Sequence, residues 1–284
     1  MAWKQMKPVK RNKLRIAAGR LYYTAGRYIR WYFDGKKYCR NRASEKLIYI
    51  CAEHATPLLR KLSNVDMWLQ YNKIDNLKLA VKKLDGIIIY PGETFSYWRL
   101  IGKPTKRKGY KEGMTLYYGG FRPGIGGGLC QLSNLIYWLT LHTPLTVTER
   151  YRHSYDVFPD SDRRQPFGSG ATCVYNYRDL QLYNGTGQAY QLCIEVTGEN
   201  LAGEWRTACR PQLKYRIYEK EHCITHEFWG GYIRHNKIFR ETYSIDGTKL
   251  MDEYITENHA VMMYQPFLSS CSEENENGNS GSDR

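Results

Sequence analysis

The spacing of apolar residues divides the chain into segments of different kinds. Between Leu14 and Tyr32, the positions Leu14, Ala17, Ala18, Leu21, Ala25, Tyr28 and Tyr32 recur at helical intervals, with Arg15, Arg20, Arg27 and Arg30 interleaved. That pattern predicts a basic amphipathic helix. Residues 46–50 form a short apolar run that fits a strand or a buried helical turn. Leu58, Leu59, Leu62, Val65, Trp68 and Leu69 then predict helical packing, and Ile74, Leu77, Ala80, Val81 and Leu84 mark a second helix, stopped by Asp85-Gly86. Residues 87–90 are β-branched and continuous, as in a buried strand, and 94–98 continue beyond a Pro91-Gly92 turn with alternating aromatics. Residues 102–113 are polar and broken by Pro104 and Gly109, so they read as a loop.

A glycine turn at 124–128 runs into a helix expected over 129–142, with the apolar stripe Leu132, Leu135, Ile136 and Leu139. Residues 145–157 alternate as one strand, which puts His153 on the mostly apolar side. Strands follow at 171–177, 179–183 and 190–197, and a β-rich piece from 213 to 264 carries hairpin signals at Gly230-Gly231 and Asp246-Gly247. The Ser, Glu, Asn and Gly of 269–284 predict a disordered tail. The fold class is therefore α+β: N-terminal helices, a central glycine loop and helix on a mostly antiparallel sheet, and a β-rich C-terminal part. The expected divisions are a basic arm (1–42), a core domain (43–211), a β-rich extension (212–268) and the tail (269–284).

Charge changes this picture at one end. Thirteen Lys or Arg from Lys4 to Arg42 stand against one acid, Asp34, so that segment holds +12 of the chain's formal +14. The remainder is nearly neutral. A basic, aromatic, amphipathic helix suits an anionic membrane surface, or packs on the body with a solvated basic face; nucleic-acid phosphates fit less well. Eight cysteines without a Cys-x-x-Cys pair suggest reduced thiols. No run reaches the ~20 apolar residues of a spanning helix, and no secretory leader is evident. The expected location is cytoplasmic, peripheral at the inner membrane face if the arm binds lipid.

The candidate chemistry centres on Gly126, Gly127, Gly128 and Cys130. Glycines allow positive φ and close approach, a helix N-terminus carries partial positive charge, and a thiol there is biased towards thiolate. One reading makes Cys130 a nucleophile with His153 as general base, an order similar by analogy to papain-like and transglutaminase-like hydrolases. The other makes Gly126, Gly127, Gly128, Gln131, Ser133 and Asn134 a non-covalent anion site. No Gly-Lys-Ser/Thr follows the glycines, so this is not a nucleotide-hydrolysing phosphate loop, and no cofactor is expected. His222, Cys223 and His226 are close in sequence, but their surroundings favour a strand, which spreads them too far for zinc; no metal site is expected.

Several blocks resemble the VanW family. They are Leu84-Asp85-Gly86, Pro91-Gly92-Glu93-Thr94-Phe95-Ser96-Tyr97-Trp98, Gly109-Tyr110-Lys111-Glu112-Gly113 and Gly124-Ile125-Gly126-Gly127-Gly128-Leu129-Cys130-Gln131-Leu132-Ser133-Asn134, continued by Glu149-Arg150-Tyr151-Arg152-His153-Ser154 and Asp179-Leu180. The resemblance covers about 85–197. It implies an accessory role in glycopeptide resistance and a link to cell-wall peptide metabolism, with a muropeptide or cell-wall precursor as the ligand. Many relatives carry Gly-Arg-Asp-Ala-Thr after the histidine. Here Gly168-Ser169-Gly170-Ala171-Thr172 has glycine in the Asp place, leaving Asp156 or Asp179 as alternative orienting carboxylates.

Overall fold

The computed structural model describes residues 12–59, 66–117, 119–157 and 165–266. The tail expected at 269–284, Leu62 and Val65 lie outside the described residues, as do residues 1–11 of the arm. In chain order the elements are α1 (Lys13–Phe33), β1 (Lys37–Tyr38), β2 (Tyr49–Pro57), α2 (Met67–Leu84), β3 (Ile87–Ile89), β4 (Glu93–Ser96), α3 (Tyr97–Ile101), β5 (Glu112–Tyr117) and β6 (Gly120–Ile125). There follow α4 (Cys130–Leu141), β7 (Thr146–Glu149), β8 (Tyr155–Asp156), β9 (Gln181–Tyr183), β10 (Tyr190–Val196), β11 (Asn200–Thr207), β12 (Leu213–His226), β13 (Tyr232–Ser244) and β14 (Lys249–Met262).

The strands make three four-stranded sheets, ordered β1-β4-β9-β7, β2-β11-β10-β3 and β12-β13-β14-β8, and the β5-β6 hairpin. Pairing is antiparallel except for β1 with β4 and β8 with β14. The fold is thus α+β with a mostly antiparallel body and a β-rich C-terminal part, as the periodicity predicts. Helix α4 lies on the second sheet. Its Leu135 and Leu139 close over Gly203 of β11, where a Cβ would come within 3.2 Å of both side chains. Trp205 of β11, fully buried, donates its indole N–H to Thr140 Oγ1 at 3.2 Å. Helix α2 packs against β10, and its Leu77, Ala80 and Leu84, all fully buried, belong to the same core as Leu135, Leu139 and Trp205.

Three stretches depart from the sequence expectation. The single strand expected over 145–157 is two short ones, β7 and β8, in different sheets, separated by 150–154. Arg150 explains the break, because its side chain bonds the Gly168 and Gly170 carbonyls and so diverts the backbone from the ladder. Tyr97 and Trp98 start α3 instead of continuing β4: the Ser96 side chain caps the helix by accepting the Arg99 N–H. Residues 171–177 form no strand, since Val174 pairs only with Arg178 in a tight turn.

The largest surprise is the rotation of α1. Its body-facing side is not the apolar stripe but Arg27 and Trp31, exposed by 1% and 5%. Arg27 forms a two-pronged ion pair with Glu149 at the end of β7, one prong at 2.6 Å, and donates Nε to the Asn176 carbonyl at 3.0 Å. Glu149 Oε1 also accepts the Asp179 amide at 3.2 Å. Arg99 of α3 donates to the Trp31 carbonyl and lies over the Tyr32 and Tyr38 rings.

Removing one partner of a buried ion pair strands the other charge. Glu149→Ala should therefore lower unfolding stability by about 3 kcal/mol, whereas Arg27→Met with Glu149→Leu should recover part of that loss. Urea denaturation of the wild type and the two variants checks this; a Glu149→Ala cost below about 1 kcal/mol, the range of an exposed pair, refutes it.

Candidate functional site

The glycine turn joins β6 to α4. Gly126 and Gly128 have φ of +76° and +89°, where a side chain would be strained. Gly127 is needed for a different reason: a Cβ there would sit 2.1 Å from the carbonyl carbon of Gly113, on β5. Two glycine backbones therefore touch. Asn76 of α2 clamps them, donating to the Gly127 carbonyl (3.0 Å) and the Lys111 carbonyl (3.1 Å) while accepting the Lys111 N–H (2.8 Å).

The amides of the turn are employed in the same junction. Gly126 N–H donates to Lys111, Gly127 to Gly124 and Gly128 to Met114, each at 3.0 Å. The Gln131, Leu132 and Ser133 amides donate to Gly128 or Leu129 carbonyls. These six donors are spent within the chain, so the run of glycines serves close packing.

The polar side chains at the start of α4 are likewise engaged. Gln131 donates to Thr56 Oγ1 and the Pro57 carbonyl, fastening α4 to β2. Ser133 donates to the Ala171 carbonyl at 2.7 Å, and Asn134 accepts the Ala171 N–H at 2.8 Å. The Cys130 thiol points at the Cys173 carbonyl, 3.8 Å away. Segment 168–173 thus covers the helix face opposite the apolar stripe, and Arg150 caps it, its guanidinium 4.9 Å from the Tyr137 ring centre.

The same segment is touched by both catalytic candidates' stretches. Cys130 meets it at Cys173, and the His153 stretch meets it where Thr172 N–H donates to the Tyr151 carbonyl at 2.7 Å. No hydrogen bond joins the Cys130 thiol to the His153 imidazole among the described residues. Burial pushes the Cys130 thiol above its ordinary pKa, against the thiolate bias expected of a helix N-terminus. Burial, helped by Arg178 and Arg150, pushes His153 down to about 4. Both groups are neutral at pH 7.

The alternative carboxylates are committed elsewhere. Asp179, fully buried and raised to about 6 by that burial, accepts Ser96 Oγ at 2.5 Å and the Trp98 N–H at 3.0 Å. Asp156 accepts the Tyr264 hydroxyl at 2.8 Å. His222, Cys223 and His226 lie on the exposed strand β12. Among the described residues no group of three or more His, Cys, Asp or Glu is placed to hold a metal ion.

A second site was not singled out by the sequence reading. Beneath the end of α1 lies a cavity of about 350 Å³ lined by Tyr32, Cys39, Arg40, Arg42, Lys83 and Arg99, with Ile87 and Leu100 completing it. Four cations and no carboxylate line it. Arg42 is steadied by donating Nε to the Asp85 carbonyl (3.0 Å), and Arg99 by its contacts with Trp31, Tyr32 and Tyr38. The acids on either side of β1 are occupied: Asp34, at the end of α1, accepts the Tyr38 hydroxyl, and Glu93, on β4, pairs with Lys37 at 3.1 Å. Arg40 and Arg42, two residues apart after β1, were the available signal. Lys83 and Arg99 come from α2 and α3, and only the tertiary fold brings them there.

Two expectations follow. Gly127→Ala should cost about 3 kcal/mol or more through its clash with Gly113, while Gly187→Ala, which meets open space, should be near neutral; thermal unfolding separates them. His153 has a folded pKa below its unfolded value, so it adds stability above about pH 6.5 that is lost as pH falls towards 4. Asp179, raised when folded, acts in the opposite sense, losing stability as pH climbs through about 4 to 6. Between pH 7 and 4 the wild type should lose up to about 3 kcal/mol more than His153→Gln; parallel pH profiles would contradict this.

The chain matches the family model described as VanW like protein over residues 72–206. It is 35% identical over 220 residues to the vancomycin B-type resistance protein VanW of Enterococcus faecalis (strain ATCC 700802 / V583), covering 78% of this chain and 80% of that protein. It is also 31% identical over 113 residues to the uncharacterized protein YoaR of Bacillus subtilis (strain 168), covering 40% of this chain and 36% of that protein. No solved structure matches it. The matched region runs from α2 through β11, so it contains the glycine junction, α4 and the segment that covers it, and the chain belongs to the VanW family.

Proposed function

We propose that this chain serves glycopeptide resistance of the vancomycin B type as an accessory protein that holds an anionic cell-wall precursor without covalent chemistry. The resistance role rests on the likeness to the Enterococcus faecalis protein across most of both chains. The single observation that carries the binding role is the basic cavity: four cations face about 350 Å³ with no lining carboxylate. That volume is in the range of small-ligand sites, and clustered guanidinium groups suit the oxygens of a diphosphate. A nucleotide-linked precursor has such a group. Thiol chemistry at Cys130 is less well supported, because the thiol is held protonated against Cys173 and the imidazole is not its partner.

The test has two arms. Titration with inorganic pyrophosphate and with a nucleoside diphosphate should show binding that Arg40→Gln with Arg42→Gln weakens about tenfold or more. In resistant cells at matched expression, Cys130→Ser and His153→Gln should keep resistance. Loss of resistance with Cys130→Ser in a normally folded protein would replace this reading with the thiol enzyme. Unchanged anion binding in the double variant would remove the cavity from it.

A further inference from the structure

The rotation of α1 has a result that neither the family nor the cavity accounts for. With Arg27 and Trp31 turned inward, Leu14, Ala17, Ala18, Leu21 and Ala25 of the stripe are exposed to solvent. Leu14 is 82% exposed, Leu21 71%, Ile29 60% and Phe33 82%. At its C-terminal end the helix touches the body on this side through Tyr28, whose hydroxyl lies 2.8 Å from that of Tyr175, and Tyr32, which Arg99 overlies, while Leu14, Leu21, Ile29 and Phe33 stay exposed. A 21-residue helix that keeps its apolar side in water is not explained by folding, which favours the opposite rotation.

The charges beside this face identify what would cover it. Lys13 and Arg15 border the stripe, Arg20 and Arg30 lie further round the helix towards the side of Arg27, and no Asp or Glu occurs from Met1 to Phe33. Lys4, Lys7, Lys10 and Arg11 precede it in the sequence. An apolar face with basic borders matches an anionic bilayer interface, where acyl chains take the leucines and lipid phosphates take the arginines. A protein partner would call for acids on a matching surface. A crossing of the bilayer is not indicated, since no helix among the described residues is long and apolar enough.

We infer that α1 is an interfacial membrane anchor, lying in the plane of an anionic phospholipid surface with Leu14, Leu21, Ile29 and Phe33 inserted, and with Arg27 locking the helix to the body in that orientation. The proposal does not depend on what the cavity binds.

The test is co-sedimentation of the full chain with vesicles of phosphatidylglycerol and phosphatidylcholine, against phosphatidylcholine alone. Binding should require phosphatidylglycerol, fall at high salt, and drop about tenfold or more in Leu21→Glu with Ile29→Glu. Phe228→Glu, which changes an equally exposed apolar residue on the β12–β13 turn, should bind as the wild type does. Both residues of the double variant are solvent-exposed, so its unfolding temperature should match the wild type. Equal binding to neutral vesicles, or no loss in the double variant, overturns the proposal. So does a dimer in lipid-free solution that the double variant converts to monomer, which would assign the face to a second copy. Pyrophosphate titration of the double variant should be unchanged, separating failure of this inference from failure of the cavity reading.

Discussion

One buried ion pair sets the posture of this protein. Glu149 sits at the end of β7, where its carboxylate accepts from Arg27 of α1 and from the amide of Asp179, while the same guanidinium reaches the Asn176 carbonyl. A first helix, a sheet edge and the turn before β9 are thus tied at one point. The interaction is directional, unlike hydrophobic contact, so it decides which side of α1 meets the body. The two-pronged contact of a nearly inaccessible arginine fixes the helix with Leu14 and Leu21 of its apolar stripe in solvent. Trp31 and the contacts of Arg99 reinforce the same choice.

The second organising contact is apolar and steric. Gly113 and Gly127 meet backbone to backbone, with Asn76 bridging Gly127 and Lys111, so the β5-β6 hairpin, α2 and the start of α4 form one unit. The polar residues that open α4 then fasten it to β2 and to segment 168–173. A motif that looks chemical in sequence is, in space, a joint between four parts of the chain. The basic cavity lies apart from it, formed where the residues after β1 pass α2 and α3.

The legibility of the chain in its sequence follows the range of the forces involved. Helix α4 and its stripe of Leu132, Leu135, Ile136 and Leu139 were read correctly because each lies within one local period and is buried. So were the buried strand at Ile87–Ile89 and the β-rich C-terminal part. Helix α1 was located, yet its rotation was not, because Arg27 meets a partner 122 residues away. Alternation through 145–157 concealed the break at Arg150, whose partners are carbonyls of a later loop. At the candidate site, composition signalled that glycine was required but not why. Positive φ and close approach leave the same letter, and only the structure shows that Gly127 answers to Gly113. The clustering of Lys83 and Arg99 with Arg40 and Arg42 left no local trace.

The glycine joint also shapes how genetic evidence on this family should be interpreted. Because two main chains share the space that one methyl would fill, positions 113 and 127 form a single steric unit, and neither can accept a side chain unless the hairpin and helix separate. An inactive Gly127 variant would therefore mimic an active-site lesion while reporting architecture. Invariance of that glycine among relatives would be equally silent about chemistry, and informative substitutions must come from residues whose side chains, not whose backbones, meet the solvent.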